Sequence, residues 1–275
     1  MALAAITDWK AGAEAGKIPL LTWGLLRQVF TVETLMTPRR VLFTGEQGAD
    51  LARVRSEAGR RRFDLVPMTH GGRIVSVLPV EAREPEPLID RRLVCRDTAI
   101  SDLLGLFVES GRPGFLVFWR PDVVGLVTPA DLNKLPAQIY LHHLIGEVEL
   151  ALARRIQGYF SDDPSQLLHM LSAKRRKELE DYLAMLAEGN VDVDPMQLLR
   201  LSDVINIAAK HEDLRAELGF SSRRATEKAL GGLNDLRNRT MHPVRPLLER
   251  IPEDLERLQR YGQQAGEVLR RLEVV

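Results

Sequence analysis

Phe115-Leu116-Val117-Phe118-Trp119-Arg120-Pro121-Asp122-Val123-Val124-Gly125-Leu126-Val127-Thr128 reads as two β-rich runs joined by a Pro-Asp turn. That pattern predicts a hairpin. A helical stretch, Ala99 to Glu109, precedes it. The same order occurs earlier in the chain. A helical stretch from Ala49 to Ala58 leads to Phe63-Asp64-Leu65-Val66-Pro67-Met68, then Gly71-Gly72, then Ile74-Val75-Ser76-Val77-Leu78. The two units are offset by about 50 residues, which marks an internal repeat. Between them, Glu81 to Pro87 (EAREPEP) reads as a charged, Pro-rich linker.

After Asp131 the strand signals stop and helical periodicity takes over. Leu141, Leu144, Ile145, Val148, Leu152 and Ile156 mark one helix face. Asp163-Pro164-Ser165 predicts a second helix start, leading to Leu179, Tyr182, Leu183 and Leu186. Met196 to Ala209 and Ser221 to Met241 read as a third and a fourth helix. Ile251, Leu255, Leu258, Ala265, Leu269 and Leu272 line a fifth, with Pro252 near its first turn and Glu253-Asp254 placed to suit its dipole. Five helices with short loops predict a bundle.

The composition limits what the chain can be. At 275 residues it is comfortable as two units, each with its own core. The 38 Lys+Arg balance the 38 Asp+Glu, so no global basic footprint draws nucleic acid in. Any RNA chemistry must come from a local cluster. The single cysteine, Cys95, excludes an intramolecular disulfide and a Cys-based zinc site, and reads as a small buried hydrophobe on a strand. The start, MALAAITDWK, lacks the basic region of a signal peptide, and no apolar run approaches the ~20 residues of a membrane helix. These features predict a cytoplasmic protein with no membrane partner.

Val32-Glu33-Thr34-Leu35-Met36-Thr37-Pro38 resembles the opening of a CBS (cystathionine-β-synthase-type) repeat, and Phe63 to Met68 resembles its central strand. Gly125-Leu126-Val127-Thr128-Pro129-Ala130-Asp131 matches that family's Gly-h-h-Thr-x-x-Asp pattern. The resemblance covers roughly residues 23–135 and implies a Bateman module, a repeat pair that binds an adenosine nucleotide as a regulatory ligand. Gly125, Thr128 and Asp131 are then the candidate ligand residues. The chemistry is intelligible: a hydroxyl and free N–H groups at a helix start suit a phosphate, and a carboxylate accepts from a ribose diol. The competing reading is that Thr128 and Asp131 only cap a helix. In the first repeat Ser76, Pro79 and Ala82 stand at the corresponding positions. At most one competent site per chain is expected.

Leu236-Arg237-Asn238-Arg239-Thr240-Met241-His242-Pro243, late in the fourth predicted helix, resembles the Arg-x4-His motif of the HEPN family. The resemblance covers about residues 136–275 and implies a helical bundle that pairs as a homodimer and cuts RNA without a metal. His242 would be the general acid or base, Arg237 would stabilise phosphate charge, and Asn238 would orient the ring or the phosphate. On one ideal helix Arg237 and His242 lie about 140° apart, so a composite site needs a second copy. The competing reading is a His at the helix C-terminus favouring the dipole, with Arg237 solvated or ion-paired. His142-His143 face different ways and are a poor metal pair. Arg60-Arg61-Arg62 and Lys174-Arg175-Arg176-Lys177 read as solvated surface.

The sequence therefore predicts an α+β chain: an extension (1–22), a tandem CBS module (23–135) and a HEPN-like bundle (136–275). Two functions compete. One is a nucleotide-regulated, metal-independent endoribonuclease; the other is a non-catalytic ligand-sensing dimeric adaptor. Neither requires a cofactor.

Overall fold

The computed structural model describes residues 23–89, 92–161, 164–191 and 193–272. The expected extension, 1–22, lies outside the described residues, as does Asp163. Helices α1 (Trp23–Val29) and α2 (Val32–Leu35) lead into strand β1 (Thr37–Pro38). The first repeat continues through β2 (Gly45–Glu46), α3 (Leu51–Arg60), β3 (Leu65–His70) and β4 (Arg73–Pro79). The second comprises β5 (Glu86–Pro87), β6 (Leu93–Cys95), α4 (Ile100–Ser110), β7 (Phe115–Trp119) and β8 (Asp122–Val127). The rest is helical: α5 (Leu135–Tyr159), α6 (Pro164–His169), α7 (Ala173–Glu188), α8 (Leu201–Lys210), α9 (Glu212–Glu217), α10 (Arg223–Thr240) and α11 (Glu253–Arg271). The chain is α+β, and its strands among the described residues all lie between 37 and 127.

The strands form two four-stranded sheets, ordered β2-β3-β4-β5 and β1-β8-β7-β6. Each sheet takes one strand from the other repeat. β1 pairs with β8 as Thr37↔Leu126 and Pro38↔Gly125; β5 pairs with β4 as Glu86↔Val77 and Pro87↔Ser76. The two registers coincide on a shift of 49 residues (86 − 37 = 49). The same shift carries the Gly45↔Met68 pair onto Val94↔Val117, and the bulge at Met68/Thr69 onto the one at Val117/Phe118. The Glu81–Pro87 segment is therefore more than a linker, because its last two residues are an edge strand. Proline is tolerated there because an edge position needs no second ladder bond.

The two repeats are packed differently, and their helices explain why. α3 (LARVRSEAGR) buries only Val54 and Ala58, against Val66, Met68 and Leu78 of its own sheet. α4 (ISDLLGLFVES) is apolar on two sides and buries Ile100, Leu103, Leu104 and Phe107. One side covers the second sheet; the other receives α11, which in turn packs on α5. A single cluster of buried side chains thus runs from Val117 and Val127 through α4 to Tyr140 and Val148 of α5 and Leu255 and Leu258 of α11. The largest core crosses the expected boundary at 135/136.

The helical part has more pieces than the five expected. The predicted second helix is two, α6 and α7, with Ser172 capping α7 by accepting from the Arg175 N–H. Of its predicted apolar face only Leu179 is buried, while Tyr182 is 45% exposed. The predicted third helix is a 3-10 turn (Pro195–Leu198) followed by α8, after which His211 caps the short α9. The basic run at 174–177 is not wholly solvated. Arg175 Nε lies 2.9 Å from Asp203 Oδ2, and Arg175 Nη2 donates to the Leu198 carbonyl at 3.0 Å, tying α7 to α8.

Candidate functional site

A cavity of about 710 Å³ opens where the two repeats meet the helical part. This size falls within the usual range for small-molecule sites. Leu65 of the first sheet, Leu126 of the second and Phe107 of α4 supply its apolar surface. Phe43 and Phe63 add a stacked aromatic pair, with centroids 6.2 Å apart and an interplanar angle of 30°. The helix-to-strand corners contribute Arg62 and Asp64 from the first repeat and Arg112 from the second. The turn after β8 contributes Thr128 and Asp131. The remaining wall is Ile251, Pro252, Leu255 and Glu256, at the start of α11.

The turn carrying Thr128 and Asp131 is a 3-10 segment, Pro129–Asn133, rather than the start of a long helix. Asp131 is buried, and its carboxylate closes the turn. Oδ2 accepts from the Thr128 N–H at 2.7 Å and from the Thr128 hydroxyl at 3.0 Å, while Oδ1 meets Lys134 Nζ at 2.7 Å. The capping role is therefore present. A carboxylate offers about four acceptor positions, so roughly one remains. Accepting from both hydroxyls of a diol requires the Thr128 hydroxyl to turn away. If it turns towards a ligand phosphate, it frees that position itself.

Gly125 plays a different part from the other two. It sits inside β8, paired with Val117 and Pro38 and set back from the cavity lining. A Cβ there would lie 2.8 Å from Met36 Sδ and 2.8 Å from the Thr37 carbonyl oxygen. The glycine admits the donated strand β1.

The related positions of the other repeat are filled. The 49-residue shift carries Thr37 and Phe43 onto Glu86 and Arg92, and Thr128 and Asp131 onto Pro79 and Ala82. Arg92 is only 8% exposed, and its Nε donates to Glu86 Oε2 at 2.8 Å. Arg55 Nη2 donates to the Ala82 carbonyl at 2.6 Å. An internal ion pair stands where the open cavity has an aromatic ring and a threonine.

The turn is also tied to the helical part. Asn133 Nδ2 donates to the Leu248 carbonyl at 3.1 Å, and the Leu248 N–H donates to Asn133 Oδ1 at 2.8 Å. Buried Gln138 reaches the Pro243 carbonyl at 3.3 Å. The segment between α10 and α11 is thereby fastened to the Thr128–Asn133 turn. At its far end Asp254 accepts from the N–H groups of Glu249 and Arg250, each at 2.8 Å, and pairs with Arg257. Burial pushes the Asp254 carboxyl up, but the two N–H donors and the nearby arginines outweigh this and hold it below the usual range.

The Arg-x4-His residues are not gathered within one chain. Arg237 faces α5, its Nε 3.6 Å from Glu149 Oε2. Asn238 is exposed on another side, where it lines a small cavity of about 260 Å³ with Arg239, Arg257 and Tyr261. His242 is exposed beyond the end of α10, and its N–H donates to the Arg239 carbonyl at 3.2 Å. The imidazole that lies against the last turn of α10 is His142, with Nδ1 3.2 Å from Thr240 Oγ1. In the sequence His142 reads only as half of a poor metal pair, and no spacing rule links it to Thr240. Among the described residues no cluster of three or more His, Cys, Asp or Glu side chains could hold a metal ion, and no helix is long and apolar enough to cross a membrane.

No protein-family model matches the chain, and no curated protein matches it. Similar solved structures include the CBS domain of a bacterial CNNM/CorC family Mg2+ transporter in complex with ATP. It is 20% identical with a TM-score of 0.34, over 39% of this chain and 87% of that one. CBSX2 in complex with AMP is 15% identical with a TM-score of 0.35, over 40% of this chain and 98% of that one. A CBS-domain pair with bound AMP from Klebsiella pneumoniae is 17% identical with a TM-score of 0.31, over 38% of this chain and 94% of that one.

Proposed function

We propose that this chain is a nucleotide-sensing regulatory protein. Its CBS-type repeat pair takes one adenosine-type ligand in the cavity, and its helical part reads the occupancy. The observation that carries the reading is the wall composition: one cavity is bounded by both repeats and by the first turn of α11. A ligand there touches the reporting element directly. A second connection runs from Asp131 along the same turn to Asn133 and the Leu248 backbone. The chemistry suits a nucleotide: an aromatic pair for a base, the Asp131 carboxylate for a ribose hydroxyl, and guanidinium groups for a phosphate. Calorimetry of the full chain with AMP, ADP, ATP and adenosine tests it. We expect one site per chain and at least a tenfold loss for Asp131→Ala. Unchanged affinity in that variant would move the site elsewhere.

The finer reading makes the output a metal-independent ribonuclease of HEPN type, assembled from two copies. It is favoured by the exposure of Asn238 and His242 beside the exposed apolar residues Met241 and Val244, a surface that a second copy could cover. Arg237, braced by Glu149, would then meet a phosphate from the same cleft. Light scattering should report a dimer. Cleavage of mixed RNA should persist in EDTA, leave cyclic-phosphate ends and fall at least ~10²-fold in His242→Ala. Full activity in that variant would move the chemistry away from His242, a monomer in solution would remove the composite site, and a dimer that cuts no RNA would leave the adaptor reading in place.

A further inference from the structure

The corner between α3 and β3 holds a backbone anomaly on the cavity wall. Arg62 has φ 58°, in the left-handed region that a side chain disfavours. It closes α3 as the residue after the cap: the Phe63 N–H donates to the Ala58 carbonyl at 2.9 Å, and the Arg62 N–H to the Gly59 carbonyl at 3.1 Å. Glycine is the usual residue at this position. The second repeat uses one: the 49-residue shift carries Arg62 onto Gly111, with φ 61°. The chain thus places an arginine, at a conformational cost, where its own second copy of the unit places glycine.

Strain alone would carry nothing. Arg120 makes the reverse exchange with Gly71 at the hairpin tips, away from the cavity lining. Two further observations set Arg62 apart. It lines the same cavity as the Thr128–Asp131 turn but comes from the other repeat. It also stands apart from its neighbours, since Arg60 and Arg61 are both paired with Glu57, whereas Arg62 has no ion pair among the described residues. Strained backbone held at a pocket, with an unpartnered charge on it, is the pattern expected of a ligand contact.

We propose that Arg62 is a specificity-determining residue: it binds the phosphate of a nucleoside phosphate whose ribose is held from the second repeat by Asp131. The proposal rests on the nucleotide reading above and adds the direction in which the ligand lies. Asp131, Asp64 and Glu256 also line the cavity, so its charge is mixed. A ligand with a hydroxyl-bearing end and an anionic end fits such a lining, and a uniformly anionic one does not. A guanidinium can meet a phosphate with two parallel N–H donors, which selects it over a neutral nucleoside.

Arg62→Gly makes an unusual test, because it installs the residue the backbone prefers. Calorimetry on the full chain should show AMP affinity reduced at least tenfold and adenosine affinity within about twofold of wild type. The melting temperature without ligand should be equal or higher. Arg62→Lys, which keeps the charge but not the two-pronged geometry, should fall between wild type and Arg62→Gly for AMP. Equal AMP affinity in wild type and Arg62→Gly overturns the proposal, as does a loss of adenosine binding as large as the loss of AMP. A wild-type chain that binds neither compound overturns the nucleotide reading itself, a result distinguishable from both.

Discussion

Asn133→Ala removes the clasp between the Thr128–Asn133 turn and the segment before α11. Two hydrogen bonds are lost, the donation to the Leu248 carbonyl at 3.1 Å and the acceptance from its N–H at 2.8 Å. Leu248 is 4% exposed, so its two backbone groups lose their partners in a nearly dry setting. Each bond is worth about 0.5–1.5 kcal/mol net, and a buried group left unpaired costs about 1–3 kcal/mol. Because Asn133 is half-buried and the smaller side chain admits water, the low part of that range applies to each group. The expected loss is about 2–4 kcal/mol, a large share of the ~5–15 kcal/mol that holds a typical domain together. Asn133→Asp sharpens the test. It keeps an acceptor for the N–H but presents an anionic oxygen to the Leu248 carbonyl, so near neutral pH it should cost at least as much as alanine. Urea unfolding followed by circular dichroism gives the energies. Timed trypsin digestion gives the location, because Arg250 is exposed in this segment and should be cut well before the rest of the chain, whereas Arg245 precedes Pro246 and resists trypsin in any state. If both variants lose less than about 0.5 kcal/mol and protect Arg250 as wild type does, the clasp carries no energy and cannot transmit occupancy.

Gly125→Ala should lower stability by about 1–3 kcal/mol by thermal melting, because one of the two atoms 2.8 Å from the new Cβ is a backbone carbonyl that cannot step aside. Arg175→Ala should cost about 3–5 kcal/mol, since it leaves Asp203 buried without its partner; a loss under 1 kcal/mol would return the 174–177 run to plain solvated surface. Asp254 has a carboxyl held below its ordinary value in the fold. Its contribution is therefore complete above the unfolded pKa of about 3.9 and is lost as pH falls through the lower folded value. Urea midpoints taken from pH 7 down to 3 should fall more steeply in wild type than in Asp254→Asn.

What the sequence made legible was local. Both hairpins, both crossover helices and the repeat spacing follow from residues close together in the chain, and they recur in the structure within two residues of their expected ends. Phe115–Trp119 is reproduced residue for residue. What it concealed depended on partners far away. β1 and β5 are two residues each, too short for alternation, and exist only because the other repeat offers an edge. The break between α6 and α7 turns on one capping serine within a polar run. At the cavity, Thr128 and Asp131 could be picked out by pattern, and both line it. Arg62 could not, because three consecutive arginines look alike until the fold shows which of them meets Glu57 and which meets empty space. The wall supplied by α11 was equally hidden, since Glu256 lies 125 residues beyond Asp131 (256 − 131 = 125).

The exchange of β1 and β5 has a consequence for how such a chain can be cut or assembled. A fragment ending near Pro79 would keep β2, β3 and β4 but have no β8 on which to lay β1, and β4 would present the bare edge that β5 normally covers. Open edges of this kind recruit strands from neighbouring molecules. Two such fragments could satisfy each other reciprocally, each lending its β1 to the other, and the matching registers mean that the resulting pair would have the same layout as the intact one. Either repeat alone is thus half of a two-fold assembly that the chain has made permanent by continuing through Val80–Pro85. Fragments for crystallisation or binding work should begin before β1 and end after β8. A split inside that span predicts intermolecular pairing rather than a monomeric half, readable as a concentration-dependent mass.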